Sequence, residues 1–395
     1  MQNIFRLILA FALVATASAQ QSKDIGVVEV KSDNLTIPVT ISSNNPELQN
    51  LALTAFGAHG RYRVVAGGAY GINFSSAGGN QVTVSITKGS GGASIHSETV
   101  SGTSLRNALL RAADVAVVKT SGGLRGFFSG KLAFVSDRGG VQTIFTGDLF
   151  FGDVQSHPVQ GKQILGPRWA PDGSKILFTS YRTGFPDIYV LDLRSHQLNI
   201  FASFKGTNSG ARFSPNGSQV AMVLSGEGNP EVYVGNPQGR QIKRLTNNQS
   251  VEASPAWSPD GSRLVFTSDA AGGPQLYVMP AGGGAMTRLS TNISKYCAEP
   301  DWSAGDPKKI VFTAGVGRGF QSAVYDFSGG GAKIVTKAPM DATEPVWLAD
   351  GRHILCTFRT STSKAIYLVD TESGKATKIS PAALGNAWSA SCLAQ

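Results

Sequence analysis

A motif of the form Trp-Ser-Pro-Asp-Gly recurs along the second two-thirds of the chain at a nearly constant period. Its copies start at Trp169, Phe213, Trp257, Trp302 and Trp347, so the aromatic residues lie 44 or 45 positions apart. Repeats of about 40–50 residues with strand-like content are typical of propeller blades rather than of helical repeats. One such unit cannot bury both faces of its small sheet alone, so the units must stack.

Each repeat contains short apolar runs that read as antiparallel strands. A lead strand follows the motif, as at residues 175–179, and a second strand follows a Gly-rich loop, as at residues 187–191. Both runs are rich in β-branched and aromatic residues and are bounded by turn formers. In the motif itself, Pro and Asp favour a turn, Gly suits the left-handed position of a bulged hairpin, and Trp anchors the packing. We therefore assign the motif a structural role.

The number of strands indicates how the ring closes. Six lead strands begin at Lys131, Lys175, Gln219, Arg263, Lys309 and His353. Six aromatic strands contain Trp169, Phe213, Trp257, Trp302, Trp347 and Trp388. The first lead strand has no aromatic strand before it, and the last aromatic strand has no lead strand after it. We therefore predict that the C-terminal strand completes the first blade of a six-bladed β-propeller.

The region before the repeats has a different texture and predicts a small α/β domain. Its candidate strands cover residues 25–30, 35–41, 61–65 and 81–86, and its candidate helices cover residues 46–58 and 105–118. Ser104 is a suitable N-cap for the second helix. The predicted fold is thus mainly β, with a six-bladed propeller at residues 129–395 that follows an α/β domain at residues 20–121 and a linker at residues 122–128.

The first 19 residues have the pattern of a secretory signal peptide. Arg6 precedes an apolar run from Leu7 to Ala15, and small residues at Ala17 and Ala19 suit a cleavage site. We predict cleavage after Ala19 and export to the periplasm. The formal net charge of +9 favours acidic surfaces or partners. The basic residues are scattered and do not alternate with aromatic residues, so we do not expect nucleic acid as a partner.

The cysteines and histidines give little sign of a reactive or metal site. Cys297, Cys356 and Cys392 form an odd set without Cys-x-x-Cys spacing. A bridge between Cys356 and Cys392 is conceivable in an oxidising compartment, and buried free thiols are the alternative. The five histidines, which show no metal-ligand spacing, are His59, His96, His157, His196 and His353. We expect no metal and no cofactor.

The order of these parts resembles the TolB family, the periplasmic propeller proteins of the Tol-Pal system. The resemblance rests on the signal peptide, the α/β domain, a junction at residues 126–138 (Gly-Phe-Phe-Ser-Gly-Lys-Leu-Ala-Phe-Val-Ser-Asp-Arg), six motif-bearing blades and the terminal Ala-Trp-Ser at residues 387–389. It covers nearly the whole mature chain. This sequence departs from the family at residues 70–75, where the usual strand looks degraded.

The resemblance implies an adaptor that links a TolA-like inner-membrane protein to a Pal-like, peptidoglycan-associated lipoprotein. Such an adaptor supports outer-membrane integrity and constriction at cell division. It is expected to be a monomer that associates with membranes only through its partners. The TolA-like partner is expected on the N-terminal segment, at Ile25, Val27, Val28 and Val30. The Pal-like partner is expected on loops of one propeller face, at Thr207, Asn208, Gly210, Glu252, Ser254, Cys297, Glu299, Thr343 and Glu344.

The residues themselves also point to this face of the propeller. Glu299 and Glu344 each lie three residues before the Trp of their repeat, so both carboxylates are expected at the mouth of the central channel. They are read as an acidic patch for a basic partner, as catalytic or cation-binding groups, or as solvated charges on the rim. Loops on a rigid scaffold commonly carry binding sites.

The sequence does not favour an enzyme. It contains no Gly-x-Ser-x-Gly nucleophile elbow, no His-Glu-x-x-His motif and no phosphate-binding Gly-rich loop. A propeller peptidase would also need an α/β-hydrolase domain. Two alternatives to the adaptor remain: an exported propeller that binds a carbohydrate or peptidoglycan fragment at the channel mouth, and a degenerate propeller hydrolase.

Overall fold

The computed structural model describes residues 36–138, 140–159 and 163–395. The predicted signal peptide, the candidate strand at residues 25–30 and the four residues expected to engage a TolA-like partner lie outside the described residues. Residues from Thr36 to Gln395 form one compact unit. Among the described residues, no helix is both long enough and apolar enough to cross a membrane.

The α/β region is built on a mixed five-stranded sheet of order β2-β1-β3-β4-β5. Strand β1 pairs in parallel with β2 and β3, and the remaining pairs are antiparallel. The elements are β1 Ile37–Ser43, α1 Pro46–Ala58, β2 Tyr62–Val64, β3 Tyr70–Ser76, β4 Gln81–Lys88, β5 Ser94–Ser101 and α2 Leu105–Thr120. The two helices begin where the sequence places their caps. The side chain of Asn45 accepts from the N–H of Glu47 (2.9 Å), and that of Ser104 accepts from the N–H of Asn107 (3.1 Å).

Two strands of this sheet differ from the sequence-based expectation. The segment read as degraded is the complete strand β3, in which Ile72 and Phe74 are fully buried. Gly71 belongs there because a Cβ would lie 2.6 Å from the Thr87 hydroxyl. Strand β5 was not predicted, because it is an edge strand that buries only Val100 and so lacks an apolar alternation.

Six four-stranded antiparallel sheets of the described residues form the propeller blades. Blade 1 contains β29, β6, β7 and β8, and blades 2 to 6 each take four consecutive strands from β9 to β28. Strand β29 pairs with β6, so the C-terminal strand closes the ring, as predicted. The strands are β6 Lys131–Arg138, β7 Val141–Asp148, β8 Gln155–His157, β9 Ile164–Trp169, β10 Lys175–Ser180, β11 Asp187–Asp192, β12 Gln197–Ala202, β13 Asn208–Phe213, β14 Val220–Leu224, β15 Glu231–Gly235, β16 Lys243–Arg244, β17 Glu252–Trp257, β18 Arg263–Ser268, β19 Gln275–Pro280, β20 Thr287–Arg288, β21 Cys297–Trp302, β22 Lys309–Val316, β23 Gly319–Asp326, β24 Gly331–Ile334, β25 Asp341–Trp347, β26 His353–Arg359, β27 Lys364–Asp370, β28 Ala376–Lys378 and β29 Asn386–Leu393.

The innermost strand of each blade carries a bulge at the same position. The register shifts there, and one residue adopts a positive φ between 51° and 66°. These six residues are Gly166, Gly210, Ser254, Glu299, Glu344 and Ser389. Such bulges redirect a side chain, and here they turn it toward the central channel. Threonines of the preceding blade hold some of them, as when Thr267 Oγ1 accepts from the Glu299 N–H (3.2 Å).

The aromatic of blade 1 does not occupy the position expected from the sequence. Cys392 pairs with Leu132 as Trp169 pairs with Ile176, so Cys392 stands where the other five blades have an aromatic ring. Trp388 lies four residues earlier, just before the bulge. From the sequence, the aromatic ring of Trp388 suggests that it occupies the repeat position. The place of the bulge shows instead that Cys392 does.

The α/β region packs against blades 6 and 1 on the face that carries the Pro-Asp-Gly turns. Lys375 Nζ of blade 6 donates to the Gly57 carbonyl (2.5 Å), and Arg106 of α2 pairs with Asp148 of blade 1. One hydrophobic cluster runs through both parts, from Phe56 into the propeller. The three cysteines are free thiols, so the conceivable bridge between Cys356 and Cys392 is not formed.

Candidate functional site

The six bulge residues surround a cavity of about 260 Å³ in the central channel, which we call the channel cavity. Its wall is completed by groups from the innermost strands, including Arg168 and Arg212, which each lie one residue before the aromatic of their repeat. The cavity therefore combines two guanidinium groups with the carboxyl groups of Glu299 and Glu344.

Both carboxyl groups face the channel, as expected, but they are engaged within the protein. Glu344 Oε1 accepts from the Ser389 hydroxyl (2.5 Å), and Glu344 Oε2 accepts from the Thr357 hydroxyl (3.0 Å). Glu299 Oε2 accepts from the Thr313 hydroxyl (2.7 Å) and from the N–H of Glu344 (2.9 Å). The two side chains therefore point into the channel instead of standing free on its rim, and the reading as an acidic patch for a basic partner stays a prediction.

The environment of Glu299 favours the uncharged carboxyl. Burial and the neighbouring Glu344 raise the pKa of Glu299, although the bonds from Thr313 and the backbone oppose the shift. Oε2 accepts both of these hydrogen bonds, and the side chain lines the channel cavity.

An ion pair between two blades crosses the channel. Arg212 of β13 pairs with Asp301 of β21, and both side chains are mostly buried. The second oxygen of Asp301 accepts from the Trp347 N–H (2.8 Å), and the Arg212 carbonyl accepts from the indole N–H of Trp257 (3.0 Å). This pair is thus tied to two further blades and crosses the channel as a strut.

Arg168 is different from Arg212. Its one hydrogen bond among the described residues goes from Nη1 to the Ala390 carbonyl (3.4 Å), and no described carboxylate lies within 4.0 Å of it. Burial and the positive charge of Arg212 lower the pKa of Arg168 to about 9, while Asp301, Glu344 and Glu299 raise it. Arg168 is therefore charged at neutral pH, and the protein compensates that charge only in part.

Above the channel cavity lies a second cavity of about 310 Å³, which we call the channel mouth. The rings of Tyr296 and Phe320 meet there with centroids 5.0 Å apart. Lys364 Nζ lies 4.3 Å from the ring centroid of Trp388, and Arg359 Nε donates to Asp341 (3.0 Å). The mouth is thus lined by aromatic rings and basic side chains rather than by free carboxylates.

Exposed apolar side chains concentrate on the face of the propeller that carries this mouth. Within an antiparallel blade, the loop from the second to the third strand and the loop leading to the next blade lie on one face, which we call the loop face. Of the eleven large exposed apolar side chains in the described residues, seven lie on or beside these loops: Val141, Phe185, Phe204, Val251, Tyr296, Val316 and Met340. Clustered exposed apolar side chains mark interaction surfaces.

Comparison with known proteins identifies the family of this propeller. The family model described as the TolB beta propeller domain matches residues 118–392. The chain belongs to the TolB β-propeller family. This confirms the resemblance seen in the sequence.

Curated relatives and solved structures agree with membership of the TolB family. The chain is 35% identical over 105 residues to the Tol-Pal system protein TolB of Methylobacillus flagellatus, and 37% identical over 98 residues to that of Roseobacter denitrificans. These matches cover 27% and 24% of this chain, and they span only 24% and 22% of the length of those relatives. The crystal structure of TolB from Acinetobacter baumannii is similar with a TM-score of 0.80 and 25% identity, covering 90% of this chain and 96% of that one. A putative TolB from Agrobacterium tumefaciens, with 18% identity and a TM-score of 0.50, covers 64% of this chain and 88% of that one and shows likeness of fold alone.

The nine residues expected to contact a Pal-like partner fall into separate groups. Eight lie in the innermost strands rather than in loops, and Thr207 directly precedes β13. Gly210, Ser254, Glu299 and Glu344 line the channel cavity, and Thr343 and both glutamates line the channel mouth. Asn208, Glu252 and Cys297 are fully buried.

The buried residues among these nine make hydrogen bonds within the protein, and Asn208 holds a loop of the loop face. Asn208 Nδ2 donates to the Phe204 carbonyl (2.8 Å), and its Oδ1 accepts from the Phe204 N–H (2.8 Å), which fixes the loop that carries Phe204. Glu252 accepts from the Ser268 hydroxyl (2.7 Å), and burial together with Glu231 raises its pKa to about 7. These side chains face inward because strand residues alternate between faces.

Sequence reasoning missed Arg168 and Arg212 as channel residues. A signal existed, because an Arg directly precedes the aromatic in two successive repeats. It also missed the mouth residues Lys364 and Phe320, which lie on other strands and approach the channel only through the twist of the blades.

The structure also brings together two histidines that show no metal-ligand spacing in the sequence. His59 of the α/β region and His353 of blade 6 have ring centroids 4.2 Å apart, and His353 Nδ1 donates to Asp350 (2.6 Å). The three side chains could hold a metal by distance alone. One nitrogen of each ring accepts a backbone hydrogen bond, however: His353 Nε2 accepts from the Gly60 N–H (3.3 Å), and His59 Nδ1 accepts from the Arg61 N–H (3.2 Å), while the buried Nε2 of His59 has no partner among the described residues. We therefore describe this group as a hydrogen-bonded junction cluster.

Proposed function

We propose that this chain is a periplasmic adaptor of the Tol-Pal system that binds partner proteins and has no enzymatic role. The loop face and the channel mouth bind a Pal-like lipoprotein. The N-terminal segment, exported by cleavage after Ala19, binds a TolA-like inner-membrane protein. Membership of the TolB family and the names of the curated relatives support the Tol-Pal role.

The observation that carries this proposal is the contrast between the two faces of the propeller. The α/β region covers part of the turn face at blades 6 and 1, whereas exposed apolar side chains concentrate on the loop face. Aromatic anchors near a pocket, such as Tyr296 beside the channel mouth, are the usual centre of a protein interface. The adaptor therefore presents a rigid, ring-shaped docking surface.

The test is a calorimetric titration of the mature protein with the soluble domain of the Pal-like lipoprotein from the same organism. The variant Tyr296→Ala/Met340→Ser removes two apolar groups of the loop face, and we expect at least a tenfold loss of affinity, as for interface anchors. The matched control Ile200→Ser/Ile334→Ser changes exposed apolar side chains on outermost strands. Equal binding by both variants would move the site away from the loop face, and no binding by the wild type would remove the adaptor function.

A separate experiment tests whether the N-terminal segment binds a TolA-like protein. Deletion of residues 20–31 should abolish binding of the soluble domain of a TolA-like protein and leave binding of the Pal-like domain unchanged. Loss of both partners in the truncated chain, or of neither, would contradict the assignment of this segment.

A second candidate function is binding of a carbohydrate or peptidoglycan fragment at the channel mouth. The aromatic rings of Tyr296 and Phe320 favour it, because sugars stack on such faces. Titration with a soluble peptidoglycan fragment decides between the two. Saturable binding that Tyr296→Ala removes, without binding of the Pal-like domain, would establish the carbohydrate function instead.

A further inference from the structure

Arg168 is the one cation of the channel cavity that the protein leaves without a carboxylate partner among the described residues. Three other mostly buried arginines have one: Arg212 pairs with Asp301, Arg244 with Glu231 and Arg352 with Asp370. A buried guanidinium without an anion is costly, because desolvation is not offset by attraction. Arg168 instead adjoins the open space of the channel cavity.

We propose that the channel cavity binds a carboxylate group and that Arg168 is the residue that receives it. The carboxylate is either that of a small free acid or that of an acidic side chain presented by the docked partner. The second source rests on the proposed function, whereas the site itself does not.

Two acids of the channel are already engaged by other groups. Both oxygens of Glu344 are engaged by Ser389 and Thr357. Asp301 uses one oxygen for Arg212 and the other for the backbone of Trp347. Arg168 is left with fork-shaped N–H groups, whose geometry matches a carboxylate.

A further polar group faces the same cavity from another blade, because Ser254 of blade 4 lines the cavity. Glu299 of blade 5 also lines it, and burial together with Glu344 raises the pKa of Glu299, which weakens its repulsion of an anion. A bound carboxylate would thus meet Arg168 and Ser254.

The path to the site is open from the loop face. The channel mouth and the channel cavity share Leu165, Glu299 and Glu344 in their walls, so the two spaces adjoin. Lys364 and Arg359 line the mouth, and the chain as a whole carries a formal charge of +9. Such a field raises the local concentration of anions and favours their approach.

The test for a free acid uses glutarate as the probe, with the mature protein at pH 7.5 and low salt. We expect saturable binding with a dissociation constant on the order of 1–10 mM, seen by calorimetry and as a shift of the Arg168 side-chain N–H resonance. Arg168→Met should weaken binding at least tenfold. The matched control Arg182→Met, which removes an exposed arginine of the loop face, should bind as the wild type does.

The outcomes separate the proposal from its rivals. No shift of the Arg168 resonance in the wild type, or equal binding by Arg168→Met and Arg182→Met, would overturn the carboxylate site. The wild-type resonance decides the matter even where Arg168→Met does not fold.

A second experiment tests whether the carboxylate comes from an acidic side chain of the partner protein. If its acidic side chain is the source, Arg168→Met loses at least tenfold in affinity for the Pal-like domain, and glutarate competes with that domain. Unchanged partner affinity together with lost glutarate binding would overturn the partner source and leave a free acid as the ligand. Absence of any partner binding by the wild type would count against the proposed function alone, since glutarate still reports on the site.

Discussion

The channel and the domain junction each bury a cluster of charged groups, but they satisfy those groups differently. At the junction, Arg352 is held by both oxygens of Asp370 (2.9 and 2.6 Å), and His353 donates to Asp350. In the channel, Arg168 has only a carbonyl at 3.4 Å. The junction is covered by a second part of the same chain, whereas the channel opens to solvent. The paired charges of the junction hold the two parts together, whereas the unpaired Arg168 lies beside an open cavity.

The largest loss of stability is expected from breaking the buried ion pair of the junction. Arg352→Met leaves the fully buried carboxylate of Asp370 without its partner. Removal of one partner of a buried ion pair costs about 3–5 kcal/mol, because the remaining charge is uncompensated. Urea unfolding of this variant beside the surface variant Arg182→Met measures the loss. A change below about 1 kcal/mol would show that the junction does not depend on this pair.

The strut across the channel should behave like the junction, on a smaller scale. Arg212→Met leaves Asp301 with the Trp347 N–H as its remaining bond, and we expect a loss of about 2–3 kcal/mol. The double variant Arg212→Met/Asp301→Leu removes both charges and should recover most of that loss. Failure of the double variant to recover would assign the cost to lost packing instead of lost charge.

The dependence of stability on pH should also distinguish the junction from the channel. Burial holds the pKa of His59 well below 6.5, and the nearby His353, Arg352, Arg61 and Lys375 lower it further. The folded state therefore takes up this proton later than the unfolded state, so its stability is complete above pH 6.5 and falls as the pH drops below it. The slope is about 1.4 kcal/mol per pH unit for one proton.

The measurement is urea unfolding at pH 7.5, 6.0 and 5.0. His59→Phe should reduce the dependence on pH by about one proton, while His196→Asn, in an exposed turn, should keep it. Equal slopes for the wild type and His59→Phe would show that His59 does not couple the junction to pH.

The smallest effect is expected where the network is incomplete. Arg168→Met removes a cation that no carboxylate pairs with, so the change should lie within about 1 kcal/mol and is expected to stabilise the protein. The contrast with Arg212→Met, one blade away, is the sharpest form of the comparison. A loss above about 2 kcal/mol for Arg168→Met would mean that the acids of the channel already compensate its charge.

The sequence was sufficient for the architecture, because the spacing of the aromatics repeats and each motif contains its own turn. It was not sufficient for the alignment of the last strand, where Trp388 resembles the repeat aromatic and Cys392 occupies its place. The carboxyl groups of Glu299 and Glu344 were assigned to the channel correctly. That they are engaged by Thr313, Thr357 and Ser389 depends on neighbouring blades, which no local pattern reports.

The junction shows the same limit. His59 and His353 are separated by almost the whole described chain, so their meeting requires the ring to close and the α/β region to dock. Spacing rules for metal or catalytic motifs apply to neighbouring residues and cannot find such a contact. The edge strand β5 was missed for a different reason, since a strand with one buried side chain has no periodicity to detect.

The pairing of β29 with β6 has a consequence for how the protein is made. Strand β6 leaves the ribosome about 250 residues before its partner, so its inner edge stays open for most of the synthesis of the chain. An open edge recruits other strands and invites aggregation. An export route that delivers the chain unfolded, with closure only after the last residues have crossed, would avoid this exposure. A product that stops short of β29 would keep the inner edge of β6 unpaired, and this exposed edge would favour its degradation by proteases.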